Sequence, residues 1–186
     1  MVGVHHKTTR RFVLLLGCLA LLLGSCGDPV GGNTKSPVFL VVGGETFGLD
    51  VDVYSPGVPG NVQDDFFEFE IQSIYKNQTD PPTTTFADVL LQEYRVTYFR
   101  ADGNPNVPDP LVIPFSAVVP AGGTANLNTL ILRSDAKLKS PLKELAFGGG
   151  EGKIIFNAYV QFFGEDLAGN EVSTDTVIIL SAADYQ

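Results

Sequence analysis

Thiols and imidazoles are the side chains best suited to nucleophilic catalysis and transition-metal ligation, and this 186-residue chain has four of them: His5, His6, Cys18 and Cys26. All four lie within the first 26 residues. Past Cys26, Ser-His-Asp and Cys-His catalysis, histidine metal ligation and thiolate zinc sites are therefore all excluded. Carboxylates remain. Asp64 and Asp65, followed by Glu68 and Glu70, and Asp166 further on are candidates for a calcium site or a general acid–base pair, since hard cations take about six to eight oxygens. Each also has a plainer role: Asp64-Asp65 as a turn, Glu68 and Glu70 as the wet face of a strand, Asp166 as a turn former. No loop has the alternating oxygen ligands of an EF-hand, and Gly148-Gly149-Gly150-Glu151-Gly152 lacks the Gly-Lys-Ser/Thr ending of a phosphate loop. The formal charge of −9 argues against nucleic-acid binding, which starts from clustered Lys and Arg. No cofactor and no small-molecule substrate is indicated.

The N-terminus has an organisation of its own. Residues 1–11 carry His5, His6, Lys7, Arg10 and Arg11 with no acid, and residues 12–23, FVLLLGCLALLL, are uncharged and mostly aliphatic. A basic segment ahead of a short apolar one has the layout of an export signal. A stable bilayer span needs about 20 apolar residues, so this run is too short to remain as one. Leu23-Gly24-Ser25-Cys26 follows and resembles the lipobox of bacterial lipoproteins: an aliphatic residue, two small residues, then cysteine. Leu15-Leu16-Gly17-Cys18 is a second match, but it would leave too little apolar sequence ahead of it. An ordinary secretory signal with a coincidental cysteine is the alternative.

The lipobox resemblance implies cleavage between Ser25 and Cys26, lipidation of Cys26 and attachment to a membrane without crossing it. In such lipoproteins an Asp directly after the cysteine commonly marks inner-membrane retention. Here Gly27 holds that position and Asp28 comes one later, so the resemblance favours the outer membrane. Cleavage would leave 161 residues without histidine; losing Lys7, Arg10 and Arg11 leaves nine basic residues against 21 acids, a formal charge of −12.

Residues 26–36 then read as the lipidated cysteine and a flexible tether, since Gly27 to Ser36, GDPVGGNTKS, lacks apolar periodicity and is rich in Gly. Residues 37–186 read as one all-β domain. Phe47, Leu49, Val51 and Val53 alternate with Gly48, Asp50 and Asp52, and Phe67, Phe69 and Ile71 alternate with Glu68, Glu70 and Gln72. The same period of two holds for Tyr94, Val96 and Tyr98, and for Phe156, Ala158, Val160 and Phe162; it puts one set on the core face of a strand and the other in water. With shorter apolar runs at 38–42, 111–119, 127–132 and 176–180, this makes about eight strands at sandwich-like intervals. One short helix or 3-10 turn is expected within 134–146, with Ser140-Pro141 at its start.

Tyr94 to Arg100 before a Gly/Pro-rich loop, then Val119-Pro120-Ala121-Gly122-Gly123-Thr124 and a further strand, resemble the middle of an immunoglobulin or fibronectin type III-like sandwich. Asp166-Leu167-Ala168-Gly169-Asn170 is similar to the hairpin joining the last two strands of many bacterial immunoglobulin-like modules, with Gly169-Asn170 suited to positive φ and Asp166 to bonding the loop amides. The expectation is a single immunoglobulin-like antiparallel β-sandwich of about seven to nine strands. The paired cysteines and the buried tryptophan of antibody domains are missing. Bacterial modules of this kind serve mostly in display, adhesion and assembly.

Parity assigns Phe66, Phe99, Tyr159 and Phe163 to the faces turned away from the core. Clustered, they would form an apolar patch of the kind that marks a partner surface. The function expected from all this is a membrane-anchored, non-catalytic envelope lipoprotein that binds or scaffolds another envelope or surface component, a protein partner being expected. The alternatives are a calcium-stabilised adhesive module and an enzyme using a carboxylate pair.

Overall fold

Alternating apolar and polar residues form a strand at every expected position in a computed structural model, which describes residues 35–43, 48–81 and 84–185. These are β1 (Val38–Gly43), β2 (Gly48–Asp52), β3 (Asp65–Tyr75), β4 (Val89–Arg100), β5 (Leu111–Val119), β6 (Thr124–Leu132), β7 (Lys153–Asp166) and β8 (Glu171–Ala183). The cleavage and lipidation positions Ser25 and Cys26, the tether before Lys35, and Phe47 lie outside the described residues.

The strands form an all-β sandwich of two sheets, one ordered β1-β3-β6 and the other β2-β8-β7-β4-β5. Neighbouring strands run antiparallel with one exception: β2 lies parallel to β8, Gly48 opposite Ile179 and Asp52 opposite Ala183. The exception follows from chain direction. β1 and β2 run the same way along the sandwich but belong to different sheets, so β2 meets β8 without having reversed.

The alternation places side chains as expected. Phe69 and Ile71 of β3 face Phe156, Ala158, Val160 and Phe162 of β7, and all are buried. Burying such side chains contributes about 1.5–3 kcal/mol each. Rings pack edge to face at the centre: Phe69 lies 5.4 Å from Phe162, and Tyr94 lies 5.3 Å from Phe115. Two tyrosines of β4 also tie the sheets together. The Tyr94 hydroxyl accepts from the Leu130 N–H at 3.1 Å, and the Tyr98 hydroxyl donates to the Ile131 carbonyl, both on β6. A buried phenol needs such a partner, and here each partner belongs to the facing sheet.

β4 is irregular between Leu91 and Glu93, where its register against both neighbours shifts. The bulge brings backbone against Gly164 of β7, where a Cβ would stand 2.2 Å from the Leu90 carbonyl oxygen. Only glycine fits that approach.

The sandwich has two distinct ends. At one end the chain enters through Ser36, which is buried although it was expected in the tether. The same end carries the Thr85–Ala87 turn, the β5–β6 turn and the β7–β8 hairpin. At the other end, the expected single helical turn is two pieces: α1 (Ser134–Lys137) and a 3-10 segment, Leu142–Gly148. Ser140 does not cap either piece; its hydroxyl accepts from Asn106 Nδ2 at 3.0 Å. Leu142 and Leu145 close the core at this end. No helix among the described residues is long and apolar enough to cross a membrane.

Candidate functional site

Of the candidate carboxylates, Glu68 and Glu70 lie on the exposed face of β3, whereas Asp64, Asp65 and Asp166 each have a local task, the first two at one end of the sandwich and Asp166 at the other. Asp64 accepts from the Ser134 N–H at 2.6 Å, and this bond holds its carboxyl below the usual range. Asp65, next in sequence, points inward and pairs with Lys137 of α1 at 2.7 Å. The Lys137 side chain is 0% exposed, and its Nζ also donates to the Asp52 carbonyl at 2.8 Å. Burial pushes the Asp65 carboxyl up to about 6, against the opposing pull of Lys137.

Asp166 lies at the other end of the sandwich, inside the β7–β8 hairpin. Its Oδ1 accepts from the Ala168 N–H at 3.0 Å and the Asn170 N–H at 2.8 Å, and Asn170 Nδ2 donates to both carboxylate oxygens. Burial acts to raise its pKa, but the bonds from Asn170, Ser36 and Ala168 outweigh it, and the carboxyl lies below the usual range. Gly169 takes φ +82°. Asn170, expected to share that conformation, does not have positive φ. The turn-forming role thus accounts for Asp166, and among the described residues no group of three or more His, Cys, Asp or Glu is placed to hold a metal ion.

A second buried cation sits at the same end of the sandwich as α1 and the 3-10 segment. Arg100, last residue of β4, pairs through Nη2 with Glu151 at 2.6 Å and with Asp102. Hydrogen bonds to Glu151 and Asp102 raise its pKa further above the ordinary value. These ion pairs tie together the loops at this end of the sandwich, where Glu151 also lines a cavity with Glu144.

The feature that the strands do assemble is the outer face of the five-stranded sheet. Thr97 of β4 lies opposite Tyr159 of β7, which lies opposite Val177 of β8. In the next outward-facing row Phe99 lies opposite Asn157, and Asn157 opposite Ile179. Strands are about 4.8 Å apart and residues on one face about 7 Å, so these rows bring Phe99, Tyr159, Val177 and Ile179 into one patch. Phe99 is 56% exposed, Ile179 51% and Val177 47%.

Polar groups border the patch. On one side the Arg95 guanidinium lies 4.8 Å over the Phe163 ring and pairs with Glu93 at 2.7 Å. Asp175 approaches Tyr159, whose hydroxyl is pushed up by burial and by that charge. On the other side the Tyr185 hydroxyl donates to Asp50 at 3.2 Å. An apolar centre with a polar border is the usual anatomy of a protein contact surface.

Of the four aromatic residues expected to face outward, Phe99, Tyr159 and Phe163 share this face. Phe66 does not: it belongs to β3, in the other sheet, where it is exposed beside Leu130. Parity along a strand tells which residues leave the core but not which sheet they leave it from. Val177 and Ile179 also belong to this face, and a pattern of outward-facing aromatic residues misses them because they are aliphatic. Their signal was the uninterrupted apolar run Val177-Ile178-Ile179-Leu180, because a strand with one wet face has no need of apolar residues at successive positions. Scanned against family models, curated proteins and solved structures, the chain finds no match.

Proposed function

We propose that this protein is a lipid-anchored, non-catalytic envelope protein that binds or scaffolds another envelope protein through the outer face of its five-stranded sheet. The observation that carries the reading is the contiguous patch of Phe99, Tyr159, Val177 and Ile179. A fold stabilised only by its core has no use for three large apolar side chains exposed together beside a half-buried tyrosine. The carboxylates Asp65 and Asp166 are engaged inside the structure, which favours contact over a calcium-dependent or acid–base role. The anchor rests on the Leu23-Gly24-Ser25-Cys26 resemblance.

Replacing Phe99 and Ile179 together by Thr tests the surface. Threonine keeps good strand propensity, so the melting temperature should stay within a few degrees of the parent. Recovery of the cross-linked partner from intact cells should fall at least tenfold, as expected when central apolar contacts are removed. Unchanged recovery with an intact fold would refute this surface.

A further inference from the structure

The end of the sandwich where the chain enters carries a second, smaller apolar feature. Phe86, in the Thr85–Ala87 turn, is 62% exposed, and Leu167, in the β7–β8 hairpin, is 50% exposed. The two turns are joined. The Leu167 N–H donates to the Asp88 carbonyl at 3.0 Å, and Asp88 Oδ1 accepts from the Ala121 N–H of the β5–β6 turn at 2.8 Å. Asp166, next to Leu167, is hydrogen-bonded by Ser36, so the chain enters the sandwich beside these two side chains.

We propose that Phe86 and Leu167 touch the lipid surface and set the sandwich upright on the membrane, this inference resting on the reading of Cys26 as the lipidated residue. The occupant follows from chain length. Between Cys26 and Lys35 there are nine residue steps, which span at most about 32 Å. The entry end is thereby held close to the bilayer that bears the anchor, and contact becomes an intramolecular event at high effective concentration. Glu165 and Glu171, paired across the hairpin just above its tip, limit the depth: Leu167 reaches the headgroup boundary while the two carboxylates stay in water. The outer face of the five-stranded sheet then stands along the membrane normal, open to a partner from the side.

The chain has no tryptophan, so single tryptophans report their own surroundings. Lipidated protein carrying Phe86→Trp, Leu167→Trp or, at the opposite end, Phe147→Trp is incorporated in phosphatidylcholine vesicles with and without brominated acyl chains. Emission from Phe86→Trp and from Leu167→Trp should shift to shorter wavelength and be mostly lost in brominated vesicles, while Phe147→Trp should be unaffected. Because Phe86 and Leu167 lie in different turns, a folding defect in one variant leaves the other to decide. Flotation with the vesicles but no quenching at either entry-end position, or equal quenching at Phe147→Trp, overturns the upright contact and leaves the anchor standing. Failure of the lipobox-containing protein to float overturns the anchor and the contact with it.

Discussion

Cys26→Ser should abolish carbonate-resistant membrane association. Two acyl chains on Cys26, at about 0.8 kcal/mol per buried CH₂, contribute on the order of 20 kcal/mol to partition, so the lipidated form should be bound essentially completely. Serine cannot take the thioether. A precursor that kept its leader would still hold only the apolar run 12–23, shorter than the roughly 20 residues of a stable span, and would be extracted at high pH. The checks are flotation after carbonate washing and the mass of the N-terminal peptide, which should begin at Cys26 and carry the acyl groups in the parent. Equal carbonate-resistant binding of the serine variant would exclude the anchor.

Lys137→Met should strongly destabilise the folded domain, and its cost should depend on pH. Methionine fills the space of the lysine stem but leaves the Asp65 carboxyl, 2.7 Å from the lost ammonium, buried without a counter-charge. Breaking a buried pair in this way costs about 3–5 kcal/mol. Burial already raises Asp65 to about 6, and loss of Lys137 raises it further. A carboxyl with a raised folded pKa favours the folded state below the unfolded value, 3.8, and that contribution is lost as pH rises through the folded value. Denaturation of the variant should therefore show the full loss near pH 8 and a much smaller one near pH 5, where Asp65 is protonated. A loss of equal size at both pH values would show that the pair's charge is not the source.

The strands were legible in the sequence because period-two patterning reports burial directly: Phe156, Ala158, Val160 and Phe162 are apolar at every second position, and all four are buried. What the pattern could not carry was anything set by pairing between distant segments. The parallel run of β2 beside β8, the separation of Phe66 from Phe99, Tyr159 and Phe163, and the meeting of Phe99 with Ile179 all depend on sheet order. Lys137 shows the same limit for charge. Nothing in Ser134-Asp135-Ala136-Lys137 marks that lysine as buried, because its burial follows from where α1 docks beside Asp65 and Asp52. Asp166 was the opposite case. Its bonds to Ala168 and Asn170 are local, so the residue types and their spacing were enough to place it.

Photo-cross-linking in intact cells tests the central claim, that this protein works by contact through one face. A photoreactive phenylalanine analogue at Phe99 should capture a defined envelope protein, and the same analogue at Phe66, also exposed but on the other sheet, should not. Capture from Phe66 with none from Phe99, or no specific adduct from either, would contradict the account.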